Sequence, residues 1–391
     1  MYKVCGTNVV VCSTVNSALY RRKMSLNHEY KILVTGGSGF LGRAVIRMLL
    51  ERYPHWKVSS LDIRPPDQDV AQQLDRVMLA DIRQEDSVKA AFKDYHPDLV
   101  VHTAGVVPAR AFRYSTKDVD WQHVKAVNYD GTRNVLLATM ASGCMRYVYT
   151  SSVTAIIDDL DHDYYYMDES VPLGLAQLHY GKSKGMAETF VLSSEHAEKG
   201  LKACALRPCT ILGPDDTQVI SVLHDCIGKG ETYFVVGDGN NIYDWMYIDN
   251  AAHAHVLAIK NLLTSETAAG EAFFITNQEP AYFWDFLAFI WAQFGHKPAF
   301  QVHVPVALAM IVAFVLEWFT WALGLPITLD TGSVKDGIRT HYASNEKAIH
   351  VLGYRPTVGL TEGVVRSCQG YKRHLAAKMT AKNAKEKPLP N

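Results

Sequence analysis

The stretch KILVTGGSGFLG, residues 31–42, joins a short β-rich run to a glycine turn, and Leu41, Val45, Met48 and Leu49 then recur at helical spacing. A strand, a glycine turn and an amphipathic helix in that order open a βαβ unit. The alternation continues outward at WKVSSLD (56–62), RVMLAD (76–81), DLVVH (98–102), RYVYTSS (146–152) and KACALR (202–207), with helical stretches such as Val127–Met140 and Ser183–Glu198 between them. The expected fold class is therefore α/β, a doubly wound parallel sheet of the Rossmann type with six or more strands.

After Arg207 and Pro208 the alternation gives way to Gly, Asp and Asn at GPDD and VVGDGNN. The reading places a flexible leader at 1–29, a dinucleotide-binding domain at 30–213 and a smaller, partly interleaved C-terminal substrate lobe at 214–371. Residues 242–262 are expected to return to the main domain as a short strand and a helix, because Ala251, His255, Ala258 and Ile259 share a face. The tail 372–391, Lys-rich and ending in prolines, is expected to be disordered. The first 23 residues hold no acidic residue, but their basic cluster follows the apolar part, so a floppy leader is favoured over a targeting peptide.

Residues 304–326 are long enough to cross a bilayer, which takes about 20 apolar residues. Glu317 inside them disfavours a simple span, so a buried or lid helix of the substrate lobe, a helix lying in the membrane surface and a true span all stay open. With 39 Lys and Arg against 40 Asp and Glu there is no net field to attract nucleic acid. Seven cysteines without CxxC pairs or nearby histidines at ligand spacing suggest neither a disulfide framework nor a metal site.

Gly36, Gly37, Ser38, Gly39, Phe40, Leu41 and Gly42 form a turn whose backbone can approach a pyrophosphate, with the helix start supplying free N–H groups. Asp62, followed by Ile63 and Arg64, stands where a carboxylate accepts both ribose hydroxyls and repels a 2′-phosphate, so NAD is expected over NADP. Asp81 and Ile82 are placed at the end of the third strand, beside an adenine. Thr103, Ala104 and Gly105 end the fourth, with Pro208 at the end of KACALRP; His102 reads as a packing residue.

Tyr180 and Lys184 lie four apart, on one helix face, so an ammonium can sit below the phenol. A phenol titrating near 10 needs a shift of roughly 3 units, about 4 kcal/mol, to act as a base near neutrality. Ser152, ending the preceding strand, is placed to hold a substrate oxygen, and Asn128 to anchor a water or backbone link to Lys184.

Together TGGSGFLG, HTAGVVP, VNYDGTRNVL, YVYTSS, YGKSK, LRPCTILGP and YIDNAAHAHVLA resemble the extended short-chain dehydrogenase/reductase superfamily and, within it, the 3β-hydroxysteroid dehydrogenase family, over about Lys31 to Tyr371. The resemblance implies NAD-dependent oxidation of a 3β-hydroxyl on a sterol or triterpenoid, with Tyr180 as acid/base, Lys184 assisting and Ser152 positioning the alcohol. It extends to the sterol-4-carboxylate branch, whose product, a β-keto acid, loses carbon dioxide readily. It also implies a membrane surface, the cytoplasmic face of the endoplasmic reticulum or the cytosol, with a second copy of the chain as a further candidate partner. A 3β-hydroxysteroid dehydrogenase/isomerase, a nucleotide-sugar epimerase, a dihydroflavonol-type reductase and a non-catalytic NAD sensor remain alternatives. The near absence of charge in residues 299–329 argues for an apolar ligand.

Overall fold

The computed structural model describes residues 26–216, 218–323 and 329–385. Its main sheet has seven strands, all parallel: β1 (Lys31–Thr35), β2 (Lys57–Asp62), β3 (Arg76–Leu79), β4 (Leu99–His102), β5 (Arg146–Thr150), β7 (Lys202–Pro208) and β12 (Ala272–Ile275). The spatial order is β12-β7-β5-β4-β1-β2-β3. The order reverses between β1 and β4, and ligands of such sheets bind at the strand ends beside that reversal.

Period-two alternation explains the two cores. Ile32, Val34, Val101, Val148 and Leu206 point to one face, under α1 (Phe40–Arg52) and α6 (Ile248–Thr264). Leu33, Leu61, Val100, Tyr147 and Tyr149 point to the other, under α2 (Glu85–Phe92), α4 (Thr132–Ala141) and α5 (His179–Val191). The helix α3 (Asp118–Lys125) runs into α4 through a π-helical turn at Ala126–Gly131. π-Helical turns often accompany functional sites, because the extra residue re-aims a side chain.

The lobe carries a second sheet made from β6 (Tyr164–Met167), β10 (Ile242–Tyr243), β13 (Ala281–Tyr282) and β15 (His341–Ala343), in the order β13-β10-β15-β6. Two short pairs complete it: β8 (Thr210–Leu212) with β11 (Trp245–Tyr247), and β9 (Phe234–Val236) with β14 (Val302–Val304). Trp245, Phe286, Ile290, Trp291 and Val364 form its core.

Interleaving goes further than the sequence reading places it. β6, from before residue 213, joins the lobe sheet, and β12, from well after it, closes the main sheet. Within 242–262 the helix does return to the main sheet, but the strand there, β11, pairs with β8 instead. The returning strand is β12, whose AFFI is buried on both faces and too short to show a period. Asp81 and Ile82 lie just past β3, which ends at Leu79.

The ends differ too. The leader, expected to be loose to residue 29, is held in its last part: Leu26 packs against the core and Glu29 pairs with Lys57 at 2.8 Å, while residues 1–25 lie outside the described residues. The tail, expected to be disordered from residue 372, instead continues α8 (Leu360–Lys385), which is helical through Lys385. Its AAKMTAKNAK run is rich in strong helix formers, and the prolines come only at 388 and 390.

The apolar stretch forms β14 and then α7 (Val306–Leu323). Ala309 and Ala313 bury one narrow face against Val334, and Glu317 accepts hydrogen bonds from the Thr331 amide and hydroxyl at 2.6 and 2.7 Å. The opposite face carries Ile311, Phe314, Val315, Trp318 and Phe319, each more than half exposed. Among the described residues no helix is long and apolar enough to cross a membrane.

Candidate active site

The glycine turn sits at the carboxyl end of β1. Gly36 has φ +69°, and a Cβ there would stand 2.7 Å from the Ala104 backbone, so the turn is held against the end of β4. α1 begins behind Gly39 with no side-chain cap and no acidic residue in its first turn. Its first N–H groups and positive end are left for an anion. Across the turn, Asp62 accepts the Ser38 amide through one carboxylate oxygen and the Arg64 amide through the other, both at 3.1 Å, and Ser38 Oγ donates to Arg64 O. Ile63 and Arg64 are exposed on this rim.

The other expected cofactor positions divide. Thr103 Oγ1 donates to Thr35 O at 2.8 Å, tying β4 to β1, and Ala104 and Gly105 line the open rim. Asp81 is paired with Arg83 at 2.6 Å, and the guanidinium holds its carboxyl below the usual range. Ile82 is buried against the π-turn, where a Cβ on Gly131 would touch it at 2.7 Å, so it packs the core. Pro208 is buried at the end of β7, and its carbonyl accepts the Val153 amide.

Tyr180 and Ser152 come together past the carboxyl end of β5, and Lys184, one turn along α5 from Tyr180, reaches the same strand end through Thr150 O. Ser152 Oγ accepts from Thr154 Oγ1 at 2.9 Å and Thr154 N at 3.3 Å. Its own hydrogen is thereby free to point at the Tyr180 phenol. Burial pushes the phenol up to about 12, and the hydrogen bond with Ser152 pulls the other way. Lys184, 4% exposed, donates to Thr150 O at 2.6 Å and lies 4.9 Å from the centre of the Tyr149 ring. Burial lowers it to about 8, opposed by the Glu188 carboxylate one turn on, so it is mostly charged at neutral pH.

Asn128 sits at the π-turn, fully buried, and both it and the Lys184 amine lie close to Gly105. Its Oδ1 accepts the Val106 amide at 2.8 Å, and its Nδ2 donates to Val106 O and to Ser183 Oγ. Ser183 Oγ in turn donates to Tyr180 O, so Asn128 ties the β4 loop to α5. His102 is held between the Thr35 and Thr132 hydroxyls at 2.6 and 3.0 Å.

Several residues at the site have no role in the sequence reading. Glu188 and Arg207 form a buried ion pair at 2.6 Å beneath Lys184, His255 bonds the Thr150 hydroxyl, and Arg113 pairs with Asp158 beside Tyr180. Only the helical period places Glu188 on the Lys184 face; the others come from elements distant in sequence.

A dinucleotide fits this arrangement, judged by the uncapped helix start, the Gly36 cradle that a Cβ would fill and the carboxylate across it. Residues 33–306 match the model of the 3-beta hydroxysteroid dehydrogenase/isomerase family. The chain is 34% identical over 335 residues to the decarboxylating sterol-4-alpha-carboxylate 3-dehydrogenase of Schizosaccharomyces pombe, covering 85% of this chain and 94% of that one. It is 30% identical over 358 residues to the human protein of the same description, covering 90% and 91%. Among solved structures, the UDP-glucose 4-epimerase of Thermus thermophilus, in complex with NAD, superposes with a TM-score of 0.65 at 23% identity, over 88% of this chain and 99% of that one. That of Thermotoga maritima, with UDP-glucose, gives 0.66 at 21% identity with the same coverage. These two show a shared fold.

Proposed function

Since this chain belongs to the 3-beta hydroxysteroid dehydrogenase/isomerase family, we propose that it oxidises the 3β-hydroxyl of a 4-carboxysterol with NAD, and that the resulting β-keto acid loses carbon dioxide. The observation that carries this reading is the convergence of Ser152, Tyr180 and Lys184 beside the glycine turn.

Bound NAD would supply the hydride acceptor. Residues 36–42 would hold its pyrophosphate, and Asp62 would accept from its adenosine ribose, where a 2′-phosphate would meet the carboxylate. Ser152 donates its free hydrogen to the substrate oxygen. Tyr180 takes the hydroxyl proton as hydride leaves, with the Lys184 charge favouring the phenolate. After oxidation the proton on Tyr180 faces the new carbonyl oxygen, where it stabilises the enolate left when the carboxylate departs as carbon dioxide.

The exposed face of α7 supports a membrane-surface partner, on the cytoplasmic side of the endoplasmic reticulum in a cell that has one. Its large side chains recur at i, i+3, i+4, i+7 and i+8, and each is worth roughly 1.5–3 kcal/mol on leaving water. The inner face of α7 docks on the helix that carries Gly332, which packs against Tyr114 on the loop of Arg113.

Incubation of the purified chain with NAD and a 4α-carboxysterol should give NADH and carbon dioxide in equal amounts. No NADH from any 3β-hydroxysterol, carboxylated or not, would refute the proposal.

A further inference from the structure

A buried ionic cluster adjoins Tyr180. Arg113, on the loop after β4, forks onto Asp158, which follows the short helix Thr154–Ile157. Asp158 Oδ2 also accepts the Gly181 amide at 2.9 Å, and its carbonyl accepts the amides of Gln177 and Leu178. α5 has no side-chain cap of its own at Leu178. Asp158 therefore supplies, from another element, the capping carboxylate that a helix start usually carries itself. The fit is tight: a Cβ on Gly181 would stand 2.1 Å from Thr154 O and 2.5 Å from Asp158 Cβ. Tyr180 is the residue before it.

The lobe reaches the same place. Tyr114 donates to Asp336 Oδ2 at 2.7 Å, Arg339 donates to Asp336 Oδ1 through Nε and Nη2, and its Nη1 donates to Ile157 O. Arg113, Arg339, Asp158 and Asp336, with Asp159 at 3.9 Å from Arg339, thus form one largely buried network of two cations and three carboxylates that joins the β4 loop, the lobe and the start of α5.

We propose that Asp158, oriented by Arg113, is a positioning residue for the reaction: it fixes the Tyr180 end of α5 and balances the charge that the phenol meets. The inference rests on Tyr180 being the acid/base. The groups facing Tyr180 and this pair are Lys184 on α5, Tyr149 on β5, Ser152 behind it, Asp159 beside Asp158, Tyr114 on the loop, and Asp336, Arg339, His341 and Tyr243 from the lobe. Around the phenol, Arg113 favours the ionised form and Asp158 opposes it, so removing one or the other moves its titration in opposite senses.

The test is the pH dependence of kcat/KM for NADH formation by the full chain, whose acidic limb rises as the phenol ionises. Asp158→Asn should move that limb to lower pH and Arg113→Met to higher pH, each by about one pH unit. The double variant should bring it back, with NAD affinity held within about twofold throughout. If both single variants lose activity with the limb unmoved, their role is merely structural and the inference falls. Asp158→Glu keeps the charge but displaces the cap, so kcat should drop about tenfold at an unmoved limb and unchanged NAD affinity; unchanged kcat would also overturn it. A Tyr180→Phe variant run alongside separates the two readings: retained turnover removes the acid/base itself, whereas lost turnover with unmoved limbs removes only the positioning role.

Discussion

α5 and α7 invert the usual link between composition and burial. α5, HYGKSKGMAETFV, is largely polar, yet Ser183, Lys184 and Glu188 lie inside the protein. α7, VALAMIVAFVLEWFTWAL, is almost wholly apolar, yet Phe314 and Trp318 are 66% and 63% exposed. Burial of a charge is tolerated where partners are built for it, as Arg207 is for Glu188 and Thr150 O for Lys184. Exposure of so many apolar groups on one stripe needs a neighbour that is not water. The first helix is organised by chemistry within the molecule, while the second presents the apolar face on which the proposed membrane contact rests.

The comparison can be broken at several points, in decreasing order of effect. Glu188→Ala leaves the Arg207 charge buried without its partner, so the unfolding free energy in urea should fall by about 3–5 kcal/mol; a loss below about 1 kcal/mol would mean that the pair is not buried in solution. Tyr180→Phe should keep NAD affinity and lower kcat by about 10²-fold or more, near 2.7 kcal/mol.

Lowering the pH from 7 to 5 tests the buried side again. His102 and His255, on the strand end and helix around Lys184, are brought down by burial to about 3 and about 4. The unfolded chain, with histidines near 6.5, binds more protons than the folded one between those values, so stability falls as pH drops through about 6.5. Each histidine should remove about 2 kcal/mol at pH 5, read from the urea midpoint.

The smallest effect on stability belongs to α7. Phe314→Ser together with Trp318→Ser should change the unfolding free energy by about 0.5 kcal/mol or less, while sharply reducing co-sedimentation with phosphatidylcholine–phosphatidylserine vesicles. Strong destabilisation with unchanged vesicle binding would place that face inside the molecule.

The main sheet was legible because buried parallel strands and amphipathic helices alternate from residue 31, and the glycine turn and the Tyr180–Lys184 spacing are local patterns. Seven strands stand where six or more were expected. β12 is not legible because four apolar residues have no readable period, and the helical tail because its charge resembles that of a disordered end while its Ala and Lys favour a helix. The Arg113–Asp158 pair and the lobe residues behind it are long-range contacts between 45 and 222 positions apart. No spacing rule in one sequence announces these. Asn128 shows the intermediate case: its position at a π-turn of the site was readable as important, but its partners, Val106 and Ser183, were set by the loop and by α5.

Hydride transfer under Tyr180 control is tested most directly by a sterol 4-carboxylate carrying deuterium at C3. With NAD and the wild-type chain, mass spectrometry should find the deuterium in the reduced cofactor and carbon dioxide in matching yield, and Tyr180→Phe should slow the appearance of both by about 10²-fold or more. Unlabelled cofactor, or label transfer undiminished in Tyr180→Phe, would contradict the account.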